Sequence, residues 1–475
     1  MKDNGTGTAE AGKGIWGLID RIQGDKVVWM ILILLILFSI VSIFSSTSLL
    51  VSGDPGDSRL EIFFGQLVTV LGGIILIFLC YKNPFIKLFR VLSQFGYALS
   101  MGLLLCLIFD IRAVEVNGAR RAIDLGFFQV HVYEVVKVAM VMYLAWAAHA
   151  YQTDSFGIAG RLSRKFKGLA FLARPGWKLW IYIFIPIITV CIGIFAGSAS
   201  STLFIGGIMV LTILIGGVRF RDIMKLLPLM VAGLVICISI WAISDGRIFS
   251  RVGTALSRIG LEHIVENVTG EPVISVKTYD ADNIFELTPG TQEFQDALDA
   301  IRQPESAKIA IHEGGLIGKL PGNSTQKYTV SLIFSDYMFS FIAEEYGFIG
   351  ATLIIMLYIS LLARGALIVR YCDSIFSKTA VAGLTVLITG QALMHIFINL
   401  DMGLLTGQTL PMVSHGKSSF LCFSIAFGII LSISKMVKAN IQKETDESEP
   451  LVEGMDVDEN VGESLRDLED FESGI

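Results

Sequence analysis

The sequence predicts an all-α polytopic membrane protein, with ten transmembrane helices and one long extracytoplasmic loop between the seventh and eighth. Three observations carry that expectation. Of the 475 residues only 17% are charged and 53% are hydrophobic, with a mean hydropathy of +0.65, whereas soluble domains carry about 25% charged residues. Apolar runs of roughly 20 residues, each long enough to cross a bilayer, recur along the chain. Lys and Arg crowd alternate short loops, the asymmetry that orients membrane proteins with their basic loops inside.

Residues 1–26 form a polar, Gly-rich segment whose mixed charge is unlike the start of a cleaved signal, so the apolar run at 27–46 is expected to stay as an anchor. Further spans are expected near 62–81, 91–110, 133–150, 179–197, 201–217, 226–243, 336–363, 380–400 and 418–436. Lys82, Lys87 and Arg90 mark one inner loop; Arg161, Arg164, Lys165, Lys167, Arg174 and Lys178 mark the next. Arg219, Arg221 and Lys225, then Arg364, Arg370 and Lys378, complete the set, which places both termini in the cytoplasm. The six cysteines lie in apolar runs or an inner loop, so they read as small core residues and not as a disulfide framework. Residues 27–443 are thus expected to form the membrane domain, including an outer loop at 244–335 with a short helix at Thr291–Arg302. The segment 444–475 holds 13 acids and one Arg, which leaves the rest of the chain at +6. That tail is too acidic and too poor in apolar residues to pack, and a disordered cytoplasmic tail is expected.

Ionisable groups beside or inside a span are costly in lipid and therefore informative. The adjacent Arg120 and Arg121 follow a turn-forming Asn117-Gly118 and could grip a diphosphate or an anionic headgroup, or could simply snorkel to lipid phosphates. Glu134 and Lys137, three apart, share a helix face and pair either structurally or around a substrate. The stretch from Ile309 to Gly350 runs from a Gly-rich, basic loop into a span. Lys319 and Lys327 bring charge suited to phosphate oxygens, and Asp336 sits where the loop meets the membrane, a candidate base. From Asp336 to Glu344 is about 12 Å of rise and roughly 80° of rotation on a helix, so Glu344 could share its cavity at greater depth, while Glu345 turns toward another helix or the loop. The last outer loop, 406–419, is bent by Pro411 and Gly416 and is acceptable at membrane depth only if it lines a cavity. His415 there reads as a satisfied loop residue. No zinc-type spacing, Walker-type loop or Gly-x-Ser-x-Gly elbow occurs.

Three blocks of these residues resemble the SEDS proteins, the FtsW/RodA/SpoVE polytopic glycosyltransferases of bacterial cell-wall synthesis. VNGARRAIDLG (116–126) followed by Glu134 and Lys137 resembles the family's NGARRW segment and its Glu-x-x-Lys. PGNSTQK (321–327) with SDYMFSFIAEEYGFIG (335–350), and then GQTLPMVSHGKSS (407–419), resemble two further family blocks, in wording most like the division-type FtsW proteins of the Bacteroidetes. Ala122 stands where the family usually has Trp, and Lys417 replaces one Gly of a Gly-Gly pair. The resemblance implies polymerisation of lipid II into glycan in the bacterial inner membrane, with Asp336 as general base. It implies Arg120, Arg121, Lys319 or Lys327 as stabilisers of the leaving diphosphate, and Asn323, Ser324, Gln326 and Ser414 as further substrate contacts beside Glu134, Lys137 and Glu344. No cofactor is demanded, and a divalent cation, Mg or Mn, is the one the chemistry would accommodate. The implied partners are a class B penicillin-binding transpeptidase, other divisome proteins and membrane lipids, with no nucleic acid. A lipid II flippase, or a weakly active scaffold that recruits the transpeptidase, is the alternative.

Overall fold

A computed structural model describes residues 23–46, 59–83, 85–116, 119–126, 128–156, 174–244, 253, 256, 262–269, 289–330, 333–402 and 407–452. Lipid offers no partner for backbone polar groups, so each apolar run closes its hydrogen bonds within a helix. The helices are α1 (Lys26–Ser46), α2 (Arg59–Lys82), α3 (Ile86–Ser93), α4 (Gly96–Ile108), α5 (Val132–Gln152), α6 (Pro175–Leu179) and α7 (Ile185–Phe195). They continue with α8 (Ala199–Ile215), α9 (Leu226–Ile243), α10 (Glu262–Thr269), α11 (Gln292–Gly314), α12 (Met338–Arg370), α13 (Ile375–Asn399) and α14 (Lys417–Val452). By length and composition, eight helical stretches among the described residues suffice to cross a membrane, and α8 with 199–215 and a 231–243 piece of α9 are shorter apolar helices at two of the expected positions.

Several elements differ from expectation. The third span is broken, because α3 and α4 are separated by a turn at Gln94 and Phe95. Arg120 and Arg121 lie in an antiparallel three-stranded sheet, β1 (Ala113–Val116), β2 (Ala119–Asp124) and β3 (Gln129–His131), which no apolar periodicity announces. The outer-loop helix begins where expected, with the Thr291 hydroxyl accepting the Phe294 N–H, but α11 continues through Pro304 to Gly314. Helix α14 runs on to Val452, so residues 444–452 of the expected tail are helical here, while 453–475, like 1–22, lie outside the described residues. Five cysteines (Cys80, Cys106, Cys191, Cys372 and Cys422) are free and at least partly buried.

Packing centres on α13, which touches α5, α8, α12 and α14, while α14 lies along α2 and α11 lies on α12. At the helix that follows α6, Pro186 lacks the N–H that would pair with the carbonyl of Tyr182. A π turn at Trp180–Phe184 results, and the Tyr143 hydroxyl donates to that carbonyl at 2.9 Å. At its far end α12 is tied down by Arg364, which donates to both carboxylate oxygens of Asp25, the residue whose Oδ1 also caps α1.

A break in α12 shapes the end of the bundle that carries the 314–337 loop. Its 33 residues would reach about 50 Å as one rod, beyond the roughly 30 Å of a bilayer core. Gly347, at φ +66, interrupts it. The loop after α11 fills the break: Lys319 and Leu320 N–H groups donate to the Glu344 and Glu345 carbonyls, and Phe348 and Ile349 donate to Gly315 and Leu316. So close a passage of two backbones leaves no room for Cβ atoms. One added at Gly314 would lie 1.9 Å from the Ala343 carbonyl oxygen. Gly314→Ala is therefore expected to destabilise the protein by about 2 kcal/mol, read as a lower melting temperature, together with faster proteolysis within 314–330. A wild-type protection pattern would show that the loop does not need this contact.

Candidate active site at the head of α12

Residues 333–337 form the turn that leads into α12, and Asp336 occupies it. Other elements brace its backbone. Ser414 donates its hydroxyl to the Ser335 carbonyl at 2.8 Å, the His415 N–H donates to the Phe334 carbonyl at 2.9 Å, and Asn399 Nδ2 donates to the Asp336 carbonyl at 3.1 Å. The carboxylate accepts a hydrogen bond from the Ser335 hydroxyl at 2.9 Å. Gly407 approaches its other oxygen so closely that a Cβ would sit 3.1 Å away. Burial pushes the Asp336 carboxyl up to about 6, and the Ser335 hydroxyl and the Arg121 guanidinium pull against that rise. The result is a half-buried carboxylate, held rigidly at the start of a span, with a cation acting on it.

Arg120 and Arg121 do not act as a pair. Successive strand residues face opposite sides; Arg121 is half-buried and acts on Asp336, while Arg120 is exposed and pairs with Asp110 at 3.1 Å.

Behind the turn lies a buried polar network. Lys137 Nζ donates to Glu134 Oε1 at 2.6 Å, to Gln391 Oε1 at 2.5 Å and to Gln408 Oε1 at 3.1 Å. Ser419 donates to the second oxygen of Glu134. Lys137 has thereby used its three donors, so the structural reading of this pair is the one the geometry favours. The network also ties α5 and α13 to the 407–419 loop that borders Asp336.

Lys319, Asn323, Ser324, Gln326, Lys327 and Glu344 gather at a second centre and not on Asp336. Glu344, expected to deepen the Asp336 cavity, instead accepts from Lys319 at 2.8 Å, from the Ser324 hydroxyl at 2.5 Å, from the Thr325 N–H at 2.8 Å and from the Gln326 N–H at 3.3 Å. The reason is the loop itself, which folds down over the break in α12 and presents its N–H groups to that carboxylate. Lys319 also pairs with Glu313. Lys327, expected to face phosphate, is buried, donates to the Gly322 carbonyl at 2.7 Å and lies over the Tyr328 ring. Glu345 reaches another helix and the loop, as its spacing implies, accepting from Ser45 of α1 and the Gly322 N–H. Asn323 donates to the Lys319 carbonyl. Ser414 is spent on the Ser335 carbonyl, so it positions the turn. His415 is satisfied by Gln66, 3.1 Å from its Nδ1, and by Phe334.

Sequence reasoning missed Gln391, His395 and Asn399. Their spacing of four puts all three on one face of the span at 380–400, a polar stripe that could have been read from the sequence. Among the described residues no three His, Cys, Asp or Glu side chains converge as a metal-binding group.

The profile of the FtsW/RodA/SpoVE family, described as "Cell cycle protein", matches residues 25–439. The chain is 26% identical over 417 residues to a "Probable peptidoglycan glycosyltransferase FtsW" of Coxiella burnetii, covering 86% of this chain and 95% of that one. It is 25% identical to the "Stage V sporulation protein E" of Bacillus subtilis over 87% of this chain and 98% of that one. A 144-residue stretch, 29% of this chain and 38% of its relative, is 34% identical to the "Peptidoglycan glycosyltransferase MrdB" of Escherichia coli K12. Its fold matches a chain from the solved structure described as "Structural coordination of polymerization and crosslinking by a peptidoglycan synthase complex", with a TM-score of 0.56 at 18% identity over 87% of this chain and 98% of that one. With a profile match across nearly all of its membrane part, this chain belongs to the FtsW/RodA/SpoVE family of polytopic membrane proteins.

Proposed function

We propose that this protein is an inverting peptidoglycan glycosyltransferase that polymerises lipid II during cell division, with Asp336 as general base. The observation that carries the reading is the Asp336 turn: a rigid carboxylate, raised to about 6 by burial, beside Arg121. Relatives named as peptidoglycan glycosyltransferases support it. In the reaction the 4-hydroxyl of one sugar attacks the anomeric carbon of another. The bond from that carbon to the diphosphate oxygen breaks, undecaprenyl diphosphate leaves with the electron pair, and the hydroxyl proton passes to Asp336. A base of this strength is ionised at neutral pH yet basic enough to take a proton as the bond forms. Arg121 stabilises the charge that gathers on the leaving diphosphate. A polyprenyl substrate accounts for a site at the edge of a span. The protein sits in the bacterial inner membrane with both termini inside, residues 27–443 form its membrane domain, and it works with a class B penicillin-binding transpeptidase.

The test is glycan formation from lipid II by the purified full chain together with that transpeptidase. Because the base acts ionised and its carboxyl lies at about 6, kcat is expected to rise with pH through about 6 and then level. A rate flat across that range would remove Asp336 from the proton transfer. Translocation of lipid II in vesicles without polymerisation would favour a transporter, and transpeptidase binding without either would favour a scaffold.

A further inference from the structure

Helix α12 begins at Met338, and the N–H groups of its first turn have no partner within the helix. Short polar side chains at such a start, Asp among them, usually accept those groups as a cap. Here the N-cap residue, Tyr337, makes no side-chain cap bond. The Phe339 N–H instead donates to His395 Nε2 at 3.3 Å, and the Ser340 N–H donates to Asn399 Oδ1 at 3.0 Å. Both acceptors are buried and lie one turn apart on α13. Each also has a second bond toward the site. Asn399 Nδ2 donates to the Asp336 carbonyl, and His395 Nδ1 lies 2.7 Å from the carbonyl of Gln408, the neighbour of Gly407. A carbonyl can only accept, so Nδ1 carries the proton and Nε2 is free to accept.

We propose that His395 and Asn399 are positioning residues that cap α12 from the neighbouring helix, so that the Asp336 carboxylate is not spent on the helix start and stays available in the site. This rests on the reading of Asp336 as the base. A carboxylate that accepts backbone N–H bonds becomes a weaker base, and delegating the cap to α13 avoids that loss. The groups acting on Asp336 among the described residues are Ser335 from its own turn and Arg121 from β2; Tyr337, on which Asp401 also acts, is its titratable neighbour along the chain.

Asn399→Ala leaves the Ser340 N–H without its acceptor, and the Asp336 carboxylate, two residues before α12, is expected to turn toward it. In the lipid II polymerisation assay with the full chain and its transpeptidase, kcat is expected to fall about tenfold or more with KM little changed, and the rising limb of the pH–rate profile is expected to move to lower pH. Ser340→Ala removes only a hydroxyl bonded to the same Asn399 oxygen at 2.8 Å and should keep the wild-type rate and limb. A lower melting temperature with the limb unmoved would make Asn399 merely structural and overturn the proposal, as would an unchanged kcat. Should Asn399→Ala not be recovered folded, His395→Ala replaces it: it removes the acceptor of the Phe339 N–H. The same fall in kcat and the same shift of the limb are expected, and a full rate with an unmoved limb refutes the proposal. Asp336→Ala in the same assay separates the two ideas. If it is active, the underlying reading falls; if it is inactive while Asn399→Ala is unaffected, only the capping role falls.

Discussion

Replacing Lys137 with methionine is expected to cost about 3–5 kcal/mol of stability, the usual penalty for removing one partner of a buried ion pair. The side chain is 1% exposed and that of Glu134 only 12%. The substitution strands Glu134 and also removes the donor shared by Gln391 and Gln408. The effect should appear as a large drop in melting temperature in detergent or nanodiscs. Adding Glu134→Gln should recover much of it, because the uncompensated charge is then gone. A Lys137→Met protein that melts like the wild type would show that the pair is not holding the bundle and would reopen a role for Lys137 in substrate contact.

Replacing Asp336 has the opposite signature: a large loss of activity with no loss of stability. General-base removal typically lowers rates about 10²–10⁴-fold, and Asp336→Ala is expected to fall in that range or below detection. For stability, the folded-state carboxyl is raised from 3.8 to about 6. The folded protein therefore favours the protonated form, and this contribution to stability, full at low pH, is lost as pH rises through about 6. The difference corresponds to roughly 3 kcal/mol against the ionised form at neutral pH. Asp336→Asn removes that charge, so above pH 6 it should melt no lower than the wild type. A marked fall in melting temperature would mean the carboxylate has a structural bond beyond the one from Ser335.

The eight membrane-length helices among the described residues were legible because lipid imposes one rule, about 20 apolar residues, that composition reveals directly. Asp336 was legible for the same reason, as a charge where a loop enters the membrane. What the sequence concealed depends on contacts between distant segments. Nothing in VNGARRAIDLG announces a strand, since its sheet is completed by Ala113–Val116 and Gln129–His131, and so the division of labour between Arg120 and Arg121 could not be foreseen. Helical angle alone put Glu344 near Asp336, but it could not show that the 314–328 loop would supply the N–H groups that claim Glu344. The charge of Lys327 by itself suggests a phosphate ligand; its burial against Gly322 is a tertiary fact. The face shared by Gln391, His395 and Asn399 was readable, and was missed because a span with uncharged polar residues resembles any other apolar run.

The most direct test of the central claim compares glycan formation from lipid II by wild-type and Asp336→Asn protein, each shown to be folded, with the transpeptidase present and the pH well above 6. The account predicts glycan from the wild type and none above background from the variant. Comparable glycan from both would contradict it.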